Sequence, residues 1–439
     1  MDLQMLAVLM LVLVAVAIFF GFPLWAGLAG VALIIGYVGL GPRIFDQFMS
    51  RAFWVLLNDA LPAVPLFVFM GAMMERAGIA EKAFGIMQLA LGPLRGAIAL
   101  ATVVICTLFA AGTGIVGAPV TVMGMLALPA MLRRGYNVPL ATGSILAGGT
   151  LGILIPPSIM LIVYGPLAGV SVARLFTAGL VPGLVLAALY FLYILVACAL
   201  KPEMGPSLPK EERTMPPLQI LLFVARDMAP FVLVILAVLG SIIVGLATPT
   251  EAAAVGAVAA LALAAAYRGL TFRTIKSAVY ECAIVSTFIL TITIGASLFT
   301  GAFLLLGGGR MIAEFLMALP FGPVGVLIIV LGIVFILGFF LDWIAILLIC
   351  IPIFAPIMRD LGFHPLWFAL LFTVCLQTSF LTPPFAVSIF YLKGVAPPEV
   401  RLSQIYKGVV PFIILQLTGL ALMIVFPEII LWLPRLMYG

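Results

Sequence analysis

The sequence predicts an all-α polytopic membrane protein built as an inverted repeat, with a re-entrant helical hairpin and a broken helix in each half. Three observations predict it. The chain is 65% hydrophobic and 8% charged, against about 25% charged for a soluble domain. Its punctuation matches itself at an offset of 227 residues. Stretches apolar enough for lipid are interrupted by clustered Gly and Pro at two matching places. Among the 439 residues no strand-like alternation suggests a barrel. Only one tract is long and polar enough to be a linker, so a single membrane domain is expected.

The opening, MDLQMLAVLMLVLVAVAIFF, lacks a basic n-region and an A-x-A site, so it reads as a first membrane helix and not as a removed signal. Helices at about 4–20 and 23–40 have counterparts at about 231–247 and 250–267. Tracts at about 41–58 and 268–281 mix Arg, Lys and Asp with aromatics, as interfacial arm helices do. Segments 97–132 and 322–358 each hold two apolar arms around a Gly-rich or polar tip. The arms fall short of the ~20 residues a span needs, so each pair reads as a hairpin. Broken helices follow at 139–168 and 366–392. Repeats 1–200 and 229–439 flank a cytoplasmic linker, 201–228, whose core is KPEMGPSLPKEERTMPP. The register brings Pro129 onto Pro356, Gly135 onto Gly362 and Pro156-Pro157 onto Pro383-Pro384.

Charge sets the orientation. The first hairpin opens between Arg95 and the pair Arg133, Arg134, whereas in the second Arg359 is offset by Asp360. Threading the halves as inverted leaves only Arg43, Arg51, Arg174, Arg310, Arg359 and Arg435 outside, and puts the rest of the 21 Lys and Arg inside, Arg268 included. Both termini then lie outside. The net charge of +5 is spread between apolar segments and marks topology, not nucleic-acid binding. The five cysteines lack metal-ligand spacing and read as small buried hydrophobes.

Inverted repeats with discontinuous helices are the architecture of secondary transporters. In GGTLGILIPPSIMLIVYG (Gly148 to Gly165) the break exposes carbonyl oxygens on one half-helix and N–H groups on the next. Carbonyls suit a hard cation such as Na⁺, and helix N-termini suit a carboxylate. LQTSFLTPPFAVS repeats the device with Gln377, Thr378, Ser379 and Thr382 around the break. Each break is expected to face a tip, AAGTGIVGAP or GFFLDWIA. Asp342 in the second tip is an intramembrane carboxylate, suited to an ion site or a proton. Thr250 is expected to cap a helix with Glu251 in its first turn. His364 lies in a loop beside Pro365 and is not expected to bind metal. No HExxH, paired intramembrane aspartates or Ser-His pair supports an enzyme.

The tracts GYNVPLATGSILAGGTLGILIPPSIMLIVYG, RLFTAGLVPGL, ATPTEAAAVGA, FLDWIAILLICIPIFAPI and LTPPFAVSIFYLKGVAP resemble the large (M, DctM-type) membrane subunit of tripartite ATP-independent periplasmic (TRAP) transporters. The resemblance covers nearly the whole chain. It implies an elevator-type fold like that of the ion transporter superfamily, in the bacterial inner membrane with both termini periplasmic. It also implies sodium-coupled import of an organic acid, with no cofactor beyond Na⁺ as coupling ion. The implied partners are a small four-helix membrane subunit (Q-type) and a periplasmic substrate-binding protein (P-type). By position, one sodium set would be Gly112, Thr113 and Gly114 with Gly149, Thr150 and Gly152. The other would be Gly338, Leu341 and Asp342 with Thr378 and Thr382. Pro156, Pro157, Ser158, Ser379, Pro383 and Pro384 would stand beside the substrate.

The tip GTGIVGAP departs from the serine-rich tip of sialic acid transporters. DWIA and QTSFLTPP resemble a subgroup for 2-oxo, hydroxy and aromatic acids, which implies a small mono- or dicarboxylate. The other reading is a stand-alone sodium-coupled transporter of the divalent-anion type with the same two-hairpin fold. The charge bias makes one prediction here: single cysteines placed at Arg134 and Asp360 react with impermeant thiol reagents from opposite membrane faces. Labelling from the same face contradicts the inversion.

Overall fold

The computed structural model describes residues 2–439 apart from Thr214, Arg268 and Phe385, and describes no side chain at Lys210, Pro217, Leu221 or Asp227. Arg268, which the charge count puts inside, therefore lies outside the described residues. Among the described residues the chain is helical throughout, without a strand.

The first half opens with α1 (Leu3–Phe19), α2 (Leu24–Leu40), α3 (Arg43–Leu56), α4 (Ala63–Arg76) and α5 (Ile79–Ala90). A hairpin of α6 (Ala97–Thr113) and α7 (Gly117–Arg133) comes next, then the half-helices α8 (Val138–Thr150) and α9 (Ile159–Ala168), then α10 (Val172–Leu200). The second half runs α11 (Pro217–Ile243), α12 (Pro249–Ala266), α13 (Phe272–Leu305) and α14 (Gly308–Met317). Its hairpin is α15 (Gly322–Leu337) with α16 (Trp343–Asp360). The half-helices α17 (Pro365–Ser379) and α18 (Val387–Val395) precede α19 (Leu402–Val425) and α20 (Glu428–Tyr438).

Among the described residues α10, α12, α13, α16 and α19 are each long and apolar enough to cross a bilayer. Gly78, at φ +71, bends α4 against α5 by 61°. The arms α6 and α7 have 17 residues each. At about 1.5 Å per residue they reach only about 25 Å, less than the about 30 Å of hydrocarbon. α6 packs back along α7 beyond the left-handed Gly114.

Local sequence sets the ends of these elements. Both hairpins close on a left-handed glycine, Gly135 (φ 72) and Gly362 (φ 85), a conformation that favours residues without a Cβ. Both broken helices then start on a side-chain cap. Asn137 Oδ1 accepts from Leu140 N at 3.2 Å, and His364 Nδ1 accepts from Leu366 N at 3.2 Å. His364 and Asn137 are counterparts in the repeat, so the histidine has a capping duty. The same comparison corrects Thr250. Thr248 caps α12, in a reciprocal capping box with Glu251, while the Thr250 hydroxyl donates to Asp59 O at 2.7 Å. The tract expected as a second arm helix, about 268–281, is also different. From Phe272 it forms the opening turns of the 34-residue α13. No Gly or Pro lies between Phe272 and Ile294 to end the helix.

Two groups of helices result. α1 to α5 pack with α11 to α14, while the hairpins and broken helices pack with α10, α19 and α20; α6 also lies against α4 and α5, and α16 against α13. Within the second group the halves interleave. α7 lies against its own α8 and against α18 of the other repeat, and α16 lies against α17 and α9. The linker is bound to the base of the first hairpin. Gly96 N donates to Gly205 O (2.8 Å), Leu208 N to Gly92 O (3.1 Å), and the Tyr136 hydroxyl to Pro206 O (2.8 Å). Arg134 pairs with Glu212 at 2.5 Å and holds that carboxyl below the usual carboxylate range. The pair is thus formed at neutral pH and is lost as acid protonates Glu212.

The crossing of α8 on α19 depends on two glycines. A Cβ at Gly143 would stand 2.2 Å from Gly408 O, and one at Gly408 would stand 2.3 Å from Pro139 O. Backbone cannot move aside cheaply, so Gly143→Ala or Gly408→Ala should each destabilise the fold by about 1–3 kcal/mol. Thermal unfolding in detergent checks this, with Gly332→Ala as control because nothing lies within 4 Å of its Cβ position. Equal melting points for all three would contradict the packing argument.

Candidate functional site

The site begins with two interruptions that the chain closes internally. After α8 a single 3-10 turn, Leu151–Ile153, leads to Pro156-Pro157, joined by a cis peptide bond. The Ser158 hydroxyl donates back to Ile153 O at 2.5 Å and accepts from Leu161 N at 3.4 Å, so it bridges the gap and caps α9. In the second half Pro383-Pro384 is also cis, and the Ser388 hydroxyl donates to Phe380 O. A residue in the first turn after each break thus returns to a carbonyl before it. Ser158, expected beside a substrate, is fully buried and uses its hydroxyl for this closure.

The first tip sits directly on the first break. A Cβ at Gly114, whose φ is +63, would lie 2.7 Å from Pro157 O, and one at Gly152 would lie 2.7 Å from Ile115 O. Gly149 faces Val120 of α7 at 2.3 Å in the same sense. Gly114, Gly149 and Gly152 are therefore brought together with Pro157. Gly112 and Thr113 turn the other way: Gly112 faces the Phe231 ring of α11, and Thr113 backs onto Gly71 of α4. The Thr113 hydroxyl donates to Phe109 O at 2.9 Å.

The second tip repeats the contact with other residues. A Cβ at Gly338 would meet Ser379 Cβ at 2.3 Å. Three hydroxyls at this break bond their own helix. Thr378 donates to Cys375 O (2.6 Å), Ser379 to Leu376 O (2.6 Å) and Thr382 to Thr378 O (2.7 Å). Leu341 and Pro384 line an apolar cavity of about 790 Å³ shared with α1, α14 and α16. Its lining is apolar, so it is not a place for an anion. Asp342 is half-buried and caps α16, with Oδ2 accepting from Ile344 N at 3.1 Å. Among the described residues no Lys or Arg forms an ion pair with it.

Between the breaks lies a polar knot. The Thr150 hydroxyl donates to Ala147 O at 2.8 Å and accepts from Gln377 Nε2 and Gln416 Nε2, each at 3.3 Å. Thr150 and Gln377 stand 227 residues apart, the repeat offset, and a contact between equivalent residues lies on the twofold axis relating them. Tyr190 adds a hydroxyl nearby, and all four side chains are fully buried. The oxygens Tyr190 Oη, Gln377 Oε1 and Gln416 Oε1 have no hydrogen-bond partner among the described residues. Each costs about 1–3 kcal/mol if it stays so. Gln416 and Tyr190 were not singled out from sequence. An amide within VVPFIILQLTGLALMIV was the available signal, since polar groups at that depth are expensive.

Among the described residues the two tip-on-break contacts bring together backbone carbonyl oxygens and, at the second, one carboxylate. The family profile of the tripartite ATP-independent periplasmic transporter, DctM component, matches residues 6–429. The chain is 31% identical to the C4-dicarboxylate TRAP transporter large permease protein DctM of Pseudomonas aeruginosa, over 93% of each. It is 30% identical to the isethionate TRAP transporter permease protein DctMQ of Oleidesulfovibrio alaskensis, over 93% of this chain and 63% of that one. With the ectoine TRAP transporter large permease protein TeaC of Halomonas elongata it shares 30% identity, over 95% and 96%. The crystal structure of the Alcanivorax borkumensis YdaH transporter has a similar fold, with a TM-score of 0.59 at 14% identity over 96% and 98% of the chains. With the matching profile covering nearly all its length, and relatives that are transporter permeases, the chain belongs to the DctM-component family of tripartite ATP-independent periplasmic transporters.

Proposed function

We propose that this large permease subunit imports a small organic acid coupled to Na⁺, and that the hairpins and broken helices move as one body against the other helices. The observation that carries the reading is the pair of tips seated on pairs of interruptions. Each combines backbone carbonyls with a helix N-terminus, so a cation and a carboxylate can be held side by side. The named relatives handle C4-dicarboxylates, isethionate and ectoine. The first two are anions, which accords with an anionic substrate here.

In this reading Gly114, Gly149 and Gly152 present backbone oxygens to one ion, and Asp342 with Gly338, Thr378 and Thr382 to another. The DctMQ relative is longer than this chain, which accords with a small membrane subunit carried on the same polypeptide there and supplied separately here. A periplasmic binding protein delivers the substrate, and the subunit lies in the inner membrane with both termini periplasmic. A stand-alone transporter of the divalent-anion type would differ in one respect: it would take up substrate without either partner.

Reconstituted with both partners, the protein should accumulate a C4-dicarboxylate or 2-oxo acid only under an inward Na⁺ gradient. Undiminished uptake with Na⁺ replaced by choline would end the coupling claim. Asp342 separates structure from transport. Asn also caps helices well, whereas Ala loses about 0.5–2 kcal/mol at a cap. Asp342→Asn should melt like the parent yet lose most Na⁺-driven uptake, and Asp342→Ala should lose both stability and uptake. Uptake and Na⁺ dependence of the parent in Asp342→Asn would confine Asp342 to capping.

A further inference from the structure

The polar knot at the axis joins the breaks themselves. Thr150 is the last residue of α8, immediately before the first interruption, and Gln377 lies two residues before the end of α17. Their hydrogen bond is therefore a direct tie between the two carbonyl-bearing helix ends, across repeats and without intervening residues. Gln416 reaches the same hydroxyl from α19, a continuous helix with no break. Thr150 already spends its proton on Ala147 O, so it can only accept. Its two acceptor positions are both filled by amides. Rotation of the α8 end about its axis would pull on Gln377, and movement of the α17 end would pull on Thr150. Around the tie the packing is tight: Gly143 and Gly149 are pressed against neighbouring helices. The Oε1 atoms of Gln377 and Gln416 find no hydrogen-bond partner among the described residues.

We propose that Gln377 is a positioning residue that couples the two ion sites. Through Thr150 it makes the conformation of one break depend on that of the other, so that filling one site orders its partner. The proposal rests on the sodium reading above. In equilibrium binding, positively coupled sites give a Hill coefficient that approaches their number, and independent sites give unity or less. The relevant comparison is therefore between variants that sever the tie and variants that merely loosen the core. Gln377→Leu and Gln377→Met remove the donor while filling the space. Gln416→Leu removes the other amide from Thr150 but leaves the link between breaks intact.

The test measures equilibrium Na⁺ binding to the full complex in proteoliposomes, from which the Hill coefficient is read, alongside Na⁺-dependent uptake and thermal unfolding of each variant. The expected result is a Na⁺ Hill coefficient of about two in the parent and in Gln416→Leu, falling to about one in Gln377→Leu or Gln377→Met, with weaker apparent Na⁺ affinity. Both Gln377 and Gln416 variants should melt lower, so a loss of stability alone does not separate them. Gln377→Met stands in if Gln377→Leu does not yield folded protein. Parental cooperativity in a folded Gln377 variant, or equal loss of cooperativity in Gln416→Leu, overturns the coupling role. A parent whose uptake ignores Na⁺ overturns the sodium reading as well, and is recognised before any variant is compared.

Discussion

The constraint on which the structure depends is that backbone interrupted inside hydrocarbon must still find hydrogen bonds. Water cannot supply them there, and each orphaned group costs several kcal/mol. The chain meets the requirement in two ways. Placing Pro156-Pro157 and Pro383-Pro384 at the breaks deletes N–H groups where they would have no partner. Returning the Ser158 hydroxyl to Ile153 O and the Ser388 hydroxyl to Phe380 O satisfies carbonyls that the lost helical turn leaves open. Without these devices no irregular segment would persist at this depth, and there would be no carbonyl cluster for an ion.

Burying such segments imposes the rest of the architecture. A break must be covered by protein on every side, and a helix that crosses the membrane beside it leaves its mouth open. The short hairpins solve this by ending at the level of the break, with Gly114 against Pro157 and Gly338 against Ser379. Interleaving follows, because each hairpin covers its own first half-helix and the second half-helix of the other repeat. Close approach then requires glycine where backbones meet, at Gly143 and Gly408 on the α8–α19 crossing.

Much of this was legible in the sequence because Gly and Pro punctuation survives where side chains diverge. The offset that aligns Pro156 with Pro383 also aligns Gly135 with Gly362, and the structure gives both glycines the same left-handed turn. The Gly-rich and polar tips between paired apolar arms foretold the hairpins, although α16 is itself long enough to cross. What escaped has a common physical cause. Thr248 was passed over for Thr250 because a capping box is decided by a reciprocal bond to Glu251, not by proximity to the helix. The tract after Arg268 looked amphipathic enough to lie alone, but nothing in it stops a helix, and α13 runs on for 34 residues. Gln416 and Tyr190 acquire meaning only through α19 and α10 packing beside Thr150. That convergence involves residues up to 266 positions apart, which no local pattern encodes. Gly112 and Thr113, grouped with Gly114 by the family resemblance, have their Cα positions against α11 and α4, while the Thr113 hydroxyl also reaches Ile115 O at the tip (3.4 Å).

The two tips show that duplication of the frame did not preserve equal contents. In the repeat register Gly112, Thr113, Gly114 and Ile115 correspond to Phe339, Phe340, Leu341 and Asp342. The first tip turns on a left-handed glycine that brings backbone against Pro157 O, and it carries no formal charge. The second turns on a carboxylate that caps α16, two residues after Phe340, whose ring packs on Phe339. A backbone-only site binds a cation weakly and releases it readily, whereas one with a carboxylate adds full charge in a medium of low dielectric. If both tips hold Na⁺ as proposed, two sites of unequal strength fill in order, the charged one first. For the stronger site to influence the weaker, something must cross the axis between them. Among the described residues the hydrogen bond from Gln377 to Thr150 joins the two helix ends directly, and under the proposed reading it is the element that crosses.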